Sequence, residues 1–193
     1  MTPAELLRNL QGMLDRASSP APVLKAIGDL MVASADRNFE AEGRPAWTPL
    51  RPATVRRKAK AGHSKILMWS GSLARSLTFQ VKGKAVVLGT NVPYGRIHQE
   101  GGVIHRAGRE GSVRLRTDAK GRLLRQGKEG RASRLAVFAS SAHKRAVERT
   151  FTHGPYDIRI PARPFLVFQP GEPEAYGAIV LNFVLTGQIG GRP

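Results

Sequence analysis

Residues 160–166, Ile-Pro-Ala-Arg-Pro-Phe-Leu, predict a fixed path for the chain just before its last helix. Pro161 and Pro164 each lock the backbone φ angle and remove one amide donor. The stretch is therefore a rigid connector and not part of a helix or a strand. Arg163 stands between the two prolines, and its guanidinium offers a forked set of donors to a carboxylate or a carbonyl oxygen.

Helical periodicity is clearest toward the two ends of the chain. It predicts helices over about 3–17, 22–39 and 172–185, the first of them with Thr2 as its N-cap. The Ser18-Ser19-Pro20 turn makes the first two a helical hairpin. The apolar positions that support the three helices are Leu6, Leu7, Leu10, Met13 and Leu14, then Val23, Ile27, Leu30 and Met31, and finally Tyr176, Ile179, Val180 and Phe183.

The middle of the chain contains short elements separated by Gly and Pro. A basic helix is predicted over 52–60, and a hairpin closes around Lys82-Gly83-Lys84. Residues 106–134 have weak periodicity and are predicted to form a long basic loop. The alternation around Val113 and Leu115 also allows a strand there, with Leu123-Leu124 as its partner.

These elements predict an α+β fold. In it, the N-terminal helical hairpin packs on a small, mostly antiparallel sheet with long basic loops and a C-terminal helix. We expect residues 1–42 to form the N-terminal helices and 43–170 the core α+β domain, with a basic loop insertion at about 106–134. Residues 171–193 supply the C-terminal helix and tail. At 193 residues, a single domain overall is expected.

Positive charge is confined to the middle of the chain. The net charge is −2 over 1–42, +11 over 43–99, +8 over 100–149 and zero over 150–193, which gives +17 in total. Clustered charge of this kind attracts polyanions. The candidate contacts to DNA or to an acidic partner are Arg56, Arg57, Lys58, Lys60, Arg114, Arg116, Arg122 and Arg125.

Residues that would support catalysis or cofactor binding are sparse. The acidic residues are scattered, and the chain has neither a phosphate-binding loop nor a Gly-x-Ser-x-Gly turn. His98 and His105 are too few for a zinc site, and without cysteine neither a thiolate site nor a disulfide forms. We therefore expect no enzyme, no catalytic residue, no cofactor and no metal. The absence of a secretory signal and of a long apolar run favours a soluble protein made in the cytoplasm, with no membrane partner.

An ordered set of motifs covers about residues 25–170. It resembles the phage virion morphogenesis family, which includes the tail-completion proteins of Mu-like phages, and more distantly the neck and tail-joining proteins of long-tailed phages. The motifs are Gly43-x-x-x-Trp47-x-Pro49-Leu50, Ile66-Leu67-x-x-Ser70-Gly71-x-Leu73-x-x-Ser76, Val87-Leu88-Gly89-Thr90, Pro93-Tyr94-Gly95-x-Ile97-His98-Gln99-x-Gly101-Gly102, and Ile160 to Leu166.

The resemblance implies a structural virion protein of a tailed bacteriophage, which forms a ring, usually of six copies, at the head–tail junction. Such a ring completes the tail and joins it to the head. Its partners would be copies of itself, the neighbouring neck, connector and tail-tube proteins, and genomic DNA in the channel. Assembly would take place in the host cytoplasm. Two alternatives stay open: a tail terminator ring that caps the tail tube, and a free-standing packaging factor that binds nucleic acid without sequence specificity.

Two groups of residues follow from these motifs. Most positions in the first are expected to hold the monomer fold: Trp47, Pro49, Leu50, Leu67, Gly71, Leu73, Tyr94, Gly95 and Phe165. The second group lies in rigid polar loops and contains the candidate subunit-interface residues His98, Gln99, Pro161 and Arg163. For His98 we expect a half-buried ring whose nitrogens are hydrogen-bonded to the backbone.

Overall fold

The computed structural model describes residues 2–190 and confirms the predicted α+β class. Residues 191–193 of the expected tail lie outside the described part. The helices are α1 (Pro3–Ser18), α2 (Ala21–Glu40), α3 (Pro52–Lys60), α4 (Ser72–Arg75), α5 (Gly95–Glu100) and α6 (Glu172–Thr186), with a 3₁₀ turn at Gly130–Arg134. The strands are β1 (Leu77–Lys82), β2 (Ala85–Thr90), β3 (Gly102–Arg106), β4 (Arg109–Arg116), β5 (Ala146–His153) and β6 (Tyr156–Ile160). They form three two-stranded sheets, β1-β2, β3-β6 and β4-β5.

Both predicted N-terminal helices form. Thr2 caps α1, because its hydroxyl accepts from the amide of Glu5 at 3.2 Å while the Glu5 carboxylate accepts from the amide of Thr2 at 2.7 Å. α2 is the buried helix and lies across β1 and β2. The sequence places Leu30 on its buried stripe, but that side chain is 42% exposed. The stripe that faces the strands is instead centred on residues such as Leu24 and Gly28.

The core of this part of the protein has two clusters. The larger joins α2, the loop around Trp47, α4, β1 and the connector, through Ala35, Phe39, Trp47, Ile66, Leu73, Leu77 and Phe165. The smaller joins α2 to α6, through Val23, Leu24, Ile27 and Phe183. Trp47 is 5% exposed and meets the ring of Phe39 edge-on at 5.7 Å between centroids. The expected role of Trp47 in holding the fold agrees with this position.

The predicted hairpin is present as β1 and β2. The two strands pair antiparallel from Leu77 opposite Thr90 to Lys82 opposite Ala85, with Gly83 in the turn at a φ of 60°. This φ lies in the left-handed region that glycine adopts without strain. Alternate residues such as Phe79 therefore face α2, and the opposite face of the hairpin is exposed.

The described residues fall into two compact units. One contains the chain up to Gly102 together with the chain from Ile160 onward, and the second is Val103–Arg159. None of the residues in the second unit is buried, although β4 and β5 pair along their whole length. The sequence-based division with boundaries near residues 42 and 170 stays a prediction.

The second unit differs from the predicted basic loop. The strand allowed around Val113 is present as β4, but its partner is β5, which the sequence did not indicate, because Glu148, Arg149 and Thr150 interrupt apolar alternation. Leu123-Leu124 lies beside the end of β4 through an isolated bridge between Thr117 and Leu123. The predicted loop therefore contributes one strand, β4, to a regular β-ladder.

Gly28 should be essential for the packing of α2 on β1. A Cβ built at this position lies 2.2 Å from the ring of Phe79, so Gly28→Ala forces the two elements apart. We expect a loss of about 1–3 kcal/mol in unfolding free energy, as for other overpacked cores. Urea unfolding measures it.

Gly177→Ala is the matched control. Gly177 is also helical, and an added Cβ there meets no neighbouring atom within 4 Å. This substitution should stabilise the protein by about 0.5–1 kcal/mol, because alanine loses less entropy in a helix. Equal stability of Gly28→Ala and wild type would show that α2 and β1 are not in tight contact.

Candidate assembly site

The connector is held by side chains from distant parts of the chain. The backbone amide of Arg163 donates to the carbonyl of His98 at 2.7 Å. The indole Nε1 of Trp47 donates to the carbonyl of Pro164 at 2.9 Å. The amide Nδ2 of Asn38 donates to the carbonyl of Phe165 at 2.9 Å. These contacts fix a segment that, after Ile160 at the end of β6, has no helix or strand of its own.

Gln99 makes the densest set of contacts to the connector. Its Oε1 accepts from the amides of Phe165 and Leu166 at 2.9 and 3.0 Å, and its Nε2 donates to the carbonyl of Leu166 at 3.0 Å. The Gln99 side chain therefore satisfies backbone groups that would otherwise pair with a neighbouring strand. α5, which carries Gln99, ends at Glu100, and a Cβ on the following Gly101 would lie 2.8 Å from the amide nitrogen of Ala162. Only glycine lets α5 and the connector approach this closely.

Arg163 takes the role that its forked donors predict, with carbonyls as the acceptors. It is 6% exposed, and its Nε and Nη2 donate to the carbonyls of Thr48 and Pro49 at 3.0 and 3.4 Å. No carboxylate pairs with it among the described residues. Burial lowers the pKa of Arg163 from its ordinary value.

His98 is half-buried, as expected, but its hydrogen bonding differs from the prediction. Its Nδ1 is buried and has no hydrogen-bond partner among the described residues. Burial lowers the pKa of His98, and the nearby cation of Arg163 lowers it further. The ring of Tyr94 meets the imidazole edge-on at 6.0 Å between centroids. The neutral imidazole is therefore the favoured form near neutral pH.

The predicted interface residues thus lie together around the connector. The polar side-chain atoms of Gln99 and Arg163 bond within the protomer, while Pro161 is exposed. Their use as subunit contacts stays a prediction. In the structure, Gln99 and Arg163 instead hold the connector in place.

The family-motif residues occupy several kinds of position. Trp47, Leu73 and Phe165 belong to the larger core cluster, and Leu50 and Leu67 pack against it. The glycines have conformational roles: Gly71 begins α4 with a φ of 72°, and a Cβ on the buried Gly95 would lie 2.8 Å from the Thr90 methyl group. Pro49 and Tyr94 are exposed, the latter by 46%.

A polar network that sequence analysis missed ties α2 to α6. Arg44 donates from Nη2 to the carbonyl of Ser34 at 2.7 Å and from Nε to Oδ1 of Asn38 at 2.8 Å. Gln169 donates from its side-chain Nε2 to the carbonyl of Arg44 at 2.7 Å and from its backbone amide to the carboxylate of Glu172 at 2.9 Å. The Ser34 hydroxyl also bonds to Glu172. The available signal was Ser34 and Asn38, polar residues four apart on a buried helical stripe.

The basic residues of α3 divide into exposed and buried groups. Arg56, Arg57 and Lys60 are exposed. Lys58 is only 5% exposed; its ammonium donates to the carbonyl of Lys65 and lies 5.9 Å from the ring centroid of Trp69. The prediction of Lys58 as a polyanion contact is therefore corrected, because its buried ammonium is hydrogen-bonded to the loop that follows α3.

The second unit carries the other candidate polyanion contacts. It contains 14 basic and 5 acidic residues, a net charge of +9. Arg114, Arg122 and Arg125 are exposed and Arg116 is half-buried. Arg122 pairs with Asp118 at 2.8 Å, which leaves most of the remaining positive charge in this unit facing solvent.

α1 and α6 present apolar side chains to solvent. Arg16 of α1 donates to the carbonyls of Val184 and Leu185 at 2.8 and 3.1 Å, so the two helices are joined at the end of α6. Their exposed residues include Leu6, Leu7, Leu10, Leu14, Leu181 and Leu185, each 43% exposed or more. Exposed apolar area of this extent is typical of surfaces that bind another protein.

Metal binding and membrane insertion leave no signature in the described residues. No group of three or more His, Asp or Glu side chains is placed to hold a metal ion there. His105 instead pairs with Asp157, 2.6 Å from Nδ1 to the carboxylate. None of the described helices is both long enough and apolar enough to cross a bilayer.

Comparison with known proteins covers nearly the whole chain. The model of the phage virion morphogenesis family matches residues 3–184. Mu-like prophage FluMu G protein 2 of Haemophilus influenzae is 31% identical over 111 residues, which are 58% of this chain and 72% of that protein. No solved structure matches the chain significantly.

Stability should depend on pH through His98. Its pKa is lower in the folded state, so between pH 7 and pH 5 the unfolded chain binds the proton more readily, and the folded state loses stability as the pH falls. His98→Gln removes this titration and should lose less stability over the same range. Urea unfolding of both proteins at pH 7 and pH 5 measures the difference, and identical losses would mean that the imidazole titrates normally.

Proposed function

The chain belongs to the phage virion morphogenesis family, and from this premise we propose that it is a structural protein that forms a ring at the head–tail junction. The ring most simply contains six copies. It completes the tail and joins it to the head. Its neighbours are the neck proteins, the phage connector proteins and the tail-tube proteins. The role is structural and not catalytic. Assembly takes place in the host cytoplasm, and the finished protein resides in the virion.

The observation that carries the proposal is the exposed apolar surface of α1 and α6. α1 has no buried residue, although it is strongly amphipathic, and Leu7 and Leu14 are 68% and 61% exposed. Burying such leucines is worth roughly 1.5–3 kcal/mol each. The segments that carry these helices have almost no net charge, so copies of the protein can meet there without repulsion.

The unit Val103–Arg159 supports contact with DNA in the channel of the ring. Its net charge of +9 is spread over a unit without buried residues, which is poorly stabilised alone and gains from a partner. Arginine and lysine side chains that meet phosphates carry no base-specific information. Binding to DNA would therefore be independent of sequence and weaken steeply with salt.

Two other functions share some of these features. A tail terminator ring, which caps the tail tube, would use the same apolar helices and the same charge. A free-standing packaging factor is favoured only by the total charge of +17. Such a factor would leave the exposed leucines of α1 and α6 without a binding partner, and we therefore rank this alternative last.

Mass photometry of the purified protein and electron microscopy of assembled virions test the proposal together. We expect a closed oligomer in solution and density for this chain in the neck, between the head and the tail tube. Density confined to the end of isolated tails would favour the terminator. A monomer that binds DNA in solution and is missing from the virion would refute the structural role.

A further inference from the structure

A groove runs along the exposed side of α2. It consists of two adjoining depressions of about 360 and 350 Å³, which share Val32 and Leu77. Its floor is apolar and includes Phe79, Ala74 and Met68. Its rim on the α2 side is acidic and consists of Asp29, Asp36 and Glu40.

The acidic rim forms one stripe of the helix, and no basic side chain of the described residues is ion-paired with it. The spacings of seven and four residues place Asp29, Asp36 and Glu40 on the same face. None of the three takes part in an ion pair among the described residues. Arg75 lines the far side of the groove, but its guanidinium is bonded to the carbonyl of Ser70 at 2.6 Å. Partial burial and the charge of Glu40 raise the pKa of Asp36, as expected for carboxylates that lack a cation.

Helix α3 has the complementary surface. Val55 is 49% exposed, and Ala59 lies one turn further along the same outer face. Arg56 and Lys60 flank this apolar stripe, exposed and without an acidic partner in the described part of the protomer. Their spacing of four residues equals that of Asp36 and Glu40.

The length of the acidic rim also agrees with the length of α3. At 1.5 Å per residue, the rim from Asp29 to Glu40 extends about 17 Å, and the nine residues of α3 extend about 14 Å. An apolar floor with an acidic rim fits a short basic helix that has an apolar stripe.

We propose that α3 of one copy docks into the α2 groove of the next copy. Val55 covers the apolar floor, while Arg56 and Lys60 face Asp36 and Glu40. The contact joins two different surfaces, so each copy donates one helix and accepts another. Head-to-tail contacts of this kind close into a ring when the rotation from copy to copy closes, and otherwise extend into a filament. The inference rests on the proposed ring function and specifies how neighbouring copies recognise each other.

The same contact explains how a chain of net charge +17 can assemble with itself. The acidic residues of the chain are concentrated before residue 43, and the next 57 residues contain none. When two copies meet head to tail, the acidic segment of one copy lies against the basic segment of the other. DNA is a poor occupant of the groove, because the carboxylates of the rim repel phosphate.

Paired charge reversal tests the contact. The first variant, Asp36→Lys with Glu40→Lys, reverses the rim, and the second, Arg56→Glu with Lys60→Glu, reverses the helix. Each alone should weaken self-association at least about tenfold, because like charges then face each other. An equimolar mixture should restore assembly, since each variant's helix then matches the other's groove. Mass photometry and sedimentation velocity measure the association.

Matched controls separate this contact from a general effect of charge. Lys82→Glu with Lys84→Glu makes the same change at the turn of the β1-β2 hairpin, and Glu110→Lys with Glu129→Lys makes the opposite change in the second unit. Both should assemble like wild type. All the substituted residues are exposed, and circular dichroism melting confirms that every variant is folded.

The outcomes distinguish this contact from the ring itself. If the wild-type protein is monomeric at all concentrations, both the contact and the ring are wrong. If both reversed variants still assemble, or if their mixture does not recover, the ring stands but this contact is wrong. If reversal of the rim spares self-association and yet blocks the joining of tails to heads, the groove binds a basic segment of another protein.

Discussion

The hydrogen bonds between Gln99 and the connector are the constraint on which the rest of the larger unit depends. After Ile160 the connector has no helix or strand to satisfy its backbone, and each buried group left unpaired costs about 1–3 kcal/mol. Gln99 satisfies three of these groups, and Trp47 and Asn38 satisfy two more. Because these side chains come from α5, α2 and the loop between α2 and α3, those segments reach their places only together with Phe165.

This internal use of polar residues decides which surfaces stay free for partners. Arg163 and Lys58 bond to carbonyls within the protomer, so neither presents its charge to another molecule. The free surfaces are the leucines of α1 and α6, the acidic groove of α2, the basic face of α3 and the exposed basic side chains of Val103–Arg159. Apolar and oppositely charged surfaces on one small protein favour assembly with other copies over a solitary role.

Sequence analysis predicted the elements whose cause is local and missed those whose cause is distant. The proline spacing of the connector, the cap at Thr2 and the turn at Gly83 depend on neighbouring residues, and each is present. β5 was missed because a two-stranded ladder without a core needs little apolar alternation. The burial of Lys58 depends on where the loop before Trp69 returns, and no local pattern encodes that position.

Amide hydrogen exchange at Phe165 and Leu166 tests the central claim most directly. Both amides donate to Gln99 and lie outside any helix or strand. If the connector forms only with the whole unit, the two amides exchange as slowly as those of α2 around Phe39, through global unfolding. Exchange as fast as at the exposed turn of Gly83 would show that the connector opens on its own and that the fold does not depend on it.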